Sequence, residues 1–194
     1  REEIRRYEPF NEQEREDKEE ILRQMEQTDH ILTRDNRNAH ITVSAWIMDR
    51  DRKKVLMAYH NSCQSWAWLG GHADGNADLK AVALKEIREE SGLESVRFVT
   101  EDIFSLEILT VDGHEKRGSY VPSHLHLNVS YLLEADEEEV LRIKPDENSG
   151  VRWFFLEEAL AASSEPWMIE RVYKKLNAKV RERFGGTYGM QRGE

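Results

Sequence analysis

The stretch from Gly70 to Leu93, GGHADGNADLKAVALKEIREESGL, puts three glutamates where a helix of a soluble protein should carry apolar residues. At about 100° per residue, Leu79, Val82, Ala83 and Ile87 fall on one face. That face is apolar and is expected to pack on a core. Glu86, Glu89 and Glu90 fall on it too, at the i, i+3, i+4 spacing that makes side chains neighbours. The opposite face carries Lys80, Lys85, Arg88 and Ser91, so no cation of the segment shares the acidic face.

Three anions crowded on the inward side are unfavourable unless their charge is cancelled. A divalent cation would cancel it. All-oxygen ligands suit a hard ion such as Mg²⁺ or Mn²⁺, which keeps several waters and takes substrate phosphates as further ligands. The plainer alternative is a surface helix of solvated glutamates, with Lys85 paired to Glu89 at i, i+4.

The segment also resembles a family signature. The Nudix box of nucleoside-diphosphate-X hydrolases runs G-x5-E-x7-R-E-U-x-E-E-x-G-U, with U bulky and apolar. Here it reads Gly71-x5-Ala77-x7-Lys85-Glu86-Ile87-x-Glu89-Glu90-x-Gly92-Leu93. Every position fits except Ala77, in place of the first Glu, and Lys85, in place of the Arg. Gly70-Gly71 matches the usual double glycine before the helix. The resemblance implies an α/β/α sandwich with a mixed sheet and hydrolysis of a diphosphate linkage in a small nucleotide-like substrate. It also implies Mg²⁺ or Mn²⁺ held by Glu86, Glu89, Glu90 and the backbone carbonyl of Gly70. Lysine at 85 keeps the charge of the family's arginine but loses its planar fork. In part of the family a loop Glu before a later Trp-bearing strand is the general base. Glu147, six residues before Trp153, stands at a comparable place. An ordinary solvated loop acid in a Pro145, Asn148, Gly150 turn is the equal alternative, and Glu89 or Glu90 is the substitute base.

The whole chain bounds the rest. At 194 residues one domain with a sizeable core is expected. A net charge of −10 argues against nucleic-acid polymers and anionic membranes as partners. Cys63 is the only cysteine, which excludes an internal disulfide and points to a cytoplasmic setting. No apolar run is long enough for a membrane span, and REEIRRYEPF has no signal-peptide core. A homodimer is compatible with the sequence but not set by it.

Periodicity predicts a charged helix over 11–28, with Asn11 and Glu14 at capping-box spacing and Ile21, Leu22 and Met25 as its apolar contacts. Strands are expected over 39–48 and 53–59, joined at Asp49–Arg52, and near 96–111, 123–133 and 150–155. Gly92 should end the signature helix. Asp112–Pro122 reads as a mobile loop, and 156–163 and 166–184 as closing helices. The domain plan is an N-terminal helical extension (1–35), a core domain (36–184) and a flexible tail (185–194).

Histidines form a second constellation. His124 and His126 alternate on one strand face with Asn128 and Ser130. His40 shares a face with Thr42, Ser44 and Trp46, and His72 follows the double glycine. An H-x-H pair with two more imidazoles would suit Zn²⁺ or another transition metal, or a substrate phosphate. Hydrogen bonding within a polar cleft is the alternative use. AHITVSAW and GGHADG are similar to segments of isopentenyl-diphosphate isomerases, where the positions of His40 and His72 are metal ligands and an E-x-E pair replaces His124-x-His126. That reaction needs a cysteine where this chain has Gly70, so isomerase activity is not expected. Trp46, Arg34 and Asn128 are the substrate-binding candidates, by stacking, phosphate contact and hydrogen bonding. Three readings follow: a metal-dependent hydrolase, a non-catalytic nucleotide-binding regulator, and an enzyme centred on a histidine-bound metal.

Overall fold

A computed structural model of the chain describes residues 1–116 and 118–185. Residues 186–194 of the expected tail lie outside that set. Two helices open the chain, α1 (Glu2–Arg6) and α2 (Glu12–Gln27). Strands β1 (Ala39–Asp49), β2 (Lys54–His60), β3 (Ser65–Ala67) and β4 (Leu69–His72) lead to α3 (Leu79–Ser91). Then come β5 (Arg97–Phe98), β6 (Ser105–Val111), β7 (His114–Lys116), β8 (Ser119–Val121), β9 (His124–Ala135) and β10 (Asn148–Phe155). Three helical pieces close it: α4 (Leu156–Ala162), α5 (Pro166–Met168) and α6 (Lys174–Phe184), the last two joined through a π turn at Ile169–Tyr173.

The mixed sheet runs β10-β2-β1-β9-β5, with β3 on β2, β4 on β1 and β6 on β9. At its centre β1 and β9 are parallel and in unbroken register from Ala39↔Leu125 to Asp49↔Ala135. Every residue of β1 is buried, as expected of a strand covered on both sides. Its odd-numbered side chains, Ile41, Val43, Ala45 and Ile47, pack with Val82, Ala83 and Ile87 of α3 and with Ile4 and Ile21. On the even-numbered face, Trp46 and Met48 lie in a second cluster with Val172, Tyr173 and Leu176. The start of that face is polar instead: His40, Thr42 and Ser44 on β1, and His126, Asn128 and Ser130 on β9.

Helix α2 is capped by Asn11, whose side chain accepts from the Glu14 N–H at 2.9 Å. The Glu14 side chain does not complete a capping box. It turns inward, fully buried, to meet Lys175 at 3.1 Å and Lys179 at 2.9 Å. Burial alone would raise its carboxyl, but the two ammonium groups outweigh that and hold it down at about 2. Burial also opposes the charge on Lys175, which Glu107 and Glu14 nonetheless raise. It lowers the Lys179 ammonium despite Glu14, so Lys175 is the firmer partner.

The expected loop at 112–122 contains a two-stranded hairpin, β7–β8. Strands β3 and β4, which the sequence pattern does not mark, are too short to show a period and form because β2 and β1 offer free edges. Among the described residues no helix is long and apolar enough to cross a membrane.

Candidate active site

Helix α3 starts at Asp78, whose side chain accepts from the Ala81 N–H at 3.0 Å. It stops at Gly92, which adopts the left-handed conformation (φ 76°) that a glycine takes without strain. These two signals set the rotation of the helix over β4 and therefore where its glutamates meet the double glycine.

Glu90 is only 2% exposed, and its carboxylate accepts from the Gly70 N–H at 2.9 Å. Burial pushes its carboxyl up to about 8; the Gly70 N–H opposes this, and Glu86 and Glu147 add repulsion. His60 stands beside it. Its Nε2 meets the Trp68 carbonyl at 2.9 Å, and a carbonyl only accepts, so Nε2 carries the proton. The bare Nδ1 faces Glu90 Oε1 at 3.7 Å, and burial keeps the ring below its ordinary pKa. Glu86 packs against Gly71 so closely that a Cβ there would lie 2.5 Å from its Cδ. Glycine at 71 is thus the residue that leaves room for the carboxylate.

Glu89 corrects the expectation of three inward acids: its side chain is 37% exposed. The expectation that no cation of the segment shares the acidic face is also corrected, and the i, i+4 pair of Lys85 with Glu89 that stood as the alternative is present. Lys85 bends round to both Glu86 and Glu89, at 3.0 Å each. Lys144, from the loop before β10, meets Glu89 at 3.0 Å and Glu147 at 2.9 Å. Hydrogen bonds from Lys85 and Lys144 hold the Glu89 carboxyl below its usual range. Lys144 therefore brings Glu147 to the edge of the cluster. Asn148 fastens the same loop to α3 by donating to the Glu90 carbonyl at 3.0 Å. In the sequence Asn148 has only a turn role, and Lys144 and His60 are not marked at all, because nothing local marks a residue that reaches across the fold. Ala77 is exposed, one residue before the Asp78 cap.

Of the substrate-binding candidates, Trp46 is fully buried and stacks on Tyr173 with ring centroids 5.5 Å apart, out of reach of a ligand. Asn128 is also fully buried. Its Oδ1 accepts from Thr42 and Ser44, and its Nδ2 donates to Glu107 and Ser130, which leaves it no capacity for a substrate. Arg34 is exposed and held by Asp74 in a two-point pair at 2.8 and 2.7 Å. The four histidines do converge: the ring of His40 lies 5.1 Å from His72, 5.0 Å from His124 and 5.1 Å from His126.

Residues 38–176 match the family model for the NUDIX domain. A curated relative, "Nucleoside diphosphate-linked moiety X motif 6" of Xenopus laevis, is 24% identical over 143 residues, covering 70% of this chain. The chain spans 59% of that relative's length. Among solved structures, a Caenorhabditis elegans Ap4A hydrolase binary complex matches with TM-score 0.54 and 19% identity, over 75% of this chain and 98% of the other. A NUDIX-family hydrolase from Clostridium perfringens gives 0.51 and 21%, over 73% and 98%. The NUDIX domain of Shewanella oneidensis NrtR, complexed with ADP ribose, gives 0.51 and 16%, over 84% and 97%. At these identities the solved structures establish a shared fold.

Proposed function

The chain belongs to the NUDIX domain family, and from that premise we propose that it is a pyrophosphohydrolase cleaving a diphosphate linkage in a small nucleoside-diphosphate-X substrate. The observation that carries the reading is the buried Glu90, seated on the Gly70 N–H, with Glu86 in the space left by Gly71. That the Caenorhabditis protein is an Ap4A hydrolase and the NrtR domain binds ADP ribose supports a nucleotide-like substrate.

The donor set fits a hard divalent ion, Mg²⁺ or Mn²⁺. Glu86, Glu89 and Glu90 supply oxygens only, and the cluster's negative charge already draws two lysines. With the Gly70 carbonyl these side chains would hold the metal. When bound, the ion would neutralise phosphate charge and lower the pKa of a coordinated water. The chain's own groups do the rest. Lys85 and Lys144 place positive charge beside the site, suited to the phosphate oxygens of a substrate. A general base must be ionised and within reach of the water it deprotonates. Glu89 is kept ionised by its two lysines, and Glu147 shares Lys144 with it, so these two are the candidates.

The test is a panel of nucleoside-diphosphate derivatives with Mg²⁺ or Mn²⁺ and product identification, repeated on Glu90→Gln, Glu89→Gln and Glu147→Gln. Turnover of one class, abolished in Glu90→Gln, is the expected result. Unchanged turnover in that variant removes the carboxylates from the mechanism. A non-catalytic binding module is the second reading, favoured by the lysines already balancing the acids and by Lys85 and Ala77 departing from the signature. Saturable ADP-ribose binding with no turnover under any divalent ion would select it.

A further inference from the structure

On the polar half of the sheet's even-numbered face, His40 of β1 is the direct register partner of His126 of β9, and His124 lies two residues earlier. One ring nitrogen each of His40, His124 and His126 falls within 4.8 Å of the others. The protons on two of these rings are fixed by their neighbours. His40 Nδ1 lies 3.1 Å from the Asn36 carbonyl and His124 Nδ1 lies 2.9 Å from the Pro122 carbonyl. A carbonyl accepts and cannot donate, so both Nδ1 atoms carry hydrogen and, in the neutral rings, both Nε2 atoms present lone pairs, that of His124 accepting from His126 Nε2–H. His124 Nε2 points at His126 Nε2, 3.2 Å away. His40 is 4% exposed, and its Nε2 has no hydrogen-bond partner.

A bare, buried imidazole nitrogen without a donor is an unmet demand in a folded protein. A metal ion meets it. An Nδ1–H held by a backbone carbonyl is also the outer contact that orients a metal-binding histidine. The dimensions agree. With metal–nitrogen bonds of about 2.0–2.1 Å, tetrahedral ligands stand roughly 3.3 Å apart. The His124–His126 pair is already at 3.2 Å, and the widest pair of the three needs to close by about 1.5 Å.

We propose that His40, His124 and His126 form a binding site for a borderline transition-metal ion of the Zn²⁺ type, distinct from the carboxylate cluster. Three nitrogen ligands leave a fourth position for water or an anionic oxygen. The ring of His72, 4.9 Å from His126 and 5.1 Å from His40, borders the site. The two metal environments sort by chemistry: imidazole nitrogens select Zn²⁺-like ions and carboxylates select Mg²⁺-like ions. They also lie on opposite sides of β4. His72 pairs with Thr42 on the polar face, whereas Gly71 pairs with Val43 on the face that packs on α3.

Co²⁺ and Zn²⁺ titrations of the full chain, with Mg²⁺ in large excess, test the proposal. Visible absorption of tetrahedral Co²⁺ and elemental analysis after dialysis are the readouts. The parent and Glu90→Gln should each retain one equivalent. His124→Asn should lose the Co²⁺ spectrum and weaken binding by more than the roughly 10–100-fold typical of an outer partner. His124 is half-buried, so this variant should keep its fold, with the thermal melt as the check. His40→Ala should show the same loss. If either metal stays bound in both histidine variants, if the parent binds neither, or if Glu90→Gln alone abolishes binding, the site is not there. Because the probe is the metal itself, failure of this site and failure of the hydrolase reading are separately visible.

Discussion

Replacing Glu90 with glutamine should make the metal-free protein more stable, although it removes a residue central to the site. The reason is the carboxyl's environment. Burial raises it from 4.5 to about 8, so between those values the folded chain holds a proton that the unfolded chain has released. A group raised on folding loses its stabilisation as pH climbs, and here the loss runs from about pH 4.5 to about pH 8. At pH 7 about 2.5 pH units of that window have been crossed, which at ~1.4 kcal/mol each is about 3 kcal/mol. Glutamine is neutral throughout. Its carbonyl can accept from the Gly70 N–H, and its amide can face the bare Nδ1 of His60. Urea unfolding in chelator from pH 5 to pH 9 should therefore show parent and variant diverging. The variant should gain just under 1 kcal/mol near pH 5, about 3 kcal/mol at pH 7, and somewhat more at pH 8. Saturating Mg²⁺ or Mn²⁺ should then stabilise the parent and leave the variant unmoved, by linkage. A variant no more stable than the parent at pH 8 in chelator would refute the reasoning, since it would mean that Glu90 is ionised at no cost.

Three other perturbations follow. Gly71→Ala puts a methyl group 2.5 Å from Glu86 Cδ; the flexible glutamate should swing aside, leaving the melt near the parent's while the Mg²⁺ or Mn²⁺ concentration needed for activity rises by roughly 10-fold or more. Glu14→Gln should cost about 3 kcal/mol in urea unfolding at pH 7, from the fall of its carboxyl from 4.5 to about 2. Since a depressed carboxyl stabilises above its unfolded value and ceases to do so as pH falls, that difference should shrink below pH 4.5 and vanish near pH 2. Lys144→Met should lower kcat far more than stability, because its ion pairs with Glu89 and Glu147 are partly exposed; a thermal shift without a kinetic effect would count against its place at the site.

Local signals were enough for the pieces that carry their own information. The period of Leu79, Val82, Ala83 and Ile87 and the Gly92 stop mark α3 from residues within one helix length, while the Asp78 cap at its start is seen in the structure. The alternation in 39–48 and 123–133 identifies the two central strands to within two residues at each end, and the same alternation places His124 and His126 together, since side chains two apart share a face. Other features exist only once distant segments meet. Lys144 is an ordinary loop lysine in the chain, and becomes the link between Glu89 and Glu147 because Asn148 ties its loop to α3. Trp46 and Asn128 have the same alternating neighbours as the histidines, yet the C-terminal helices bury one and four buried polar groups saturate the other. Whether a side chain on a given face meets solvent, a ligand or the core depends on what covers that face, and for Trp46 the covering helices lie more than a hundred residues away. Glu89 shows the same division: helical spacing assigns its angle, but only packing against β4 decides that it stands at the rim while Glu90 is buried.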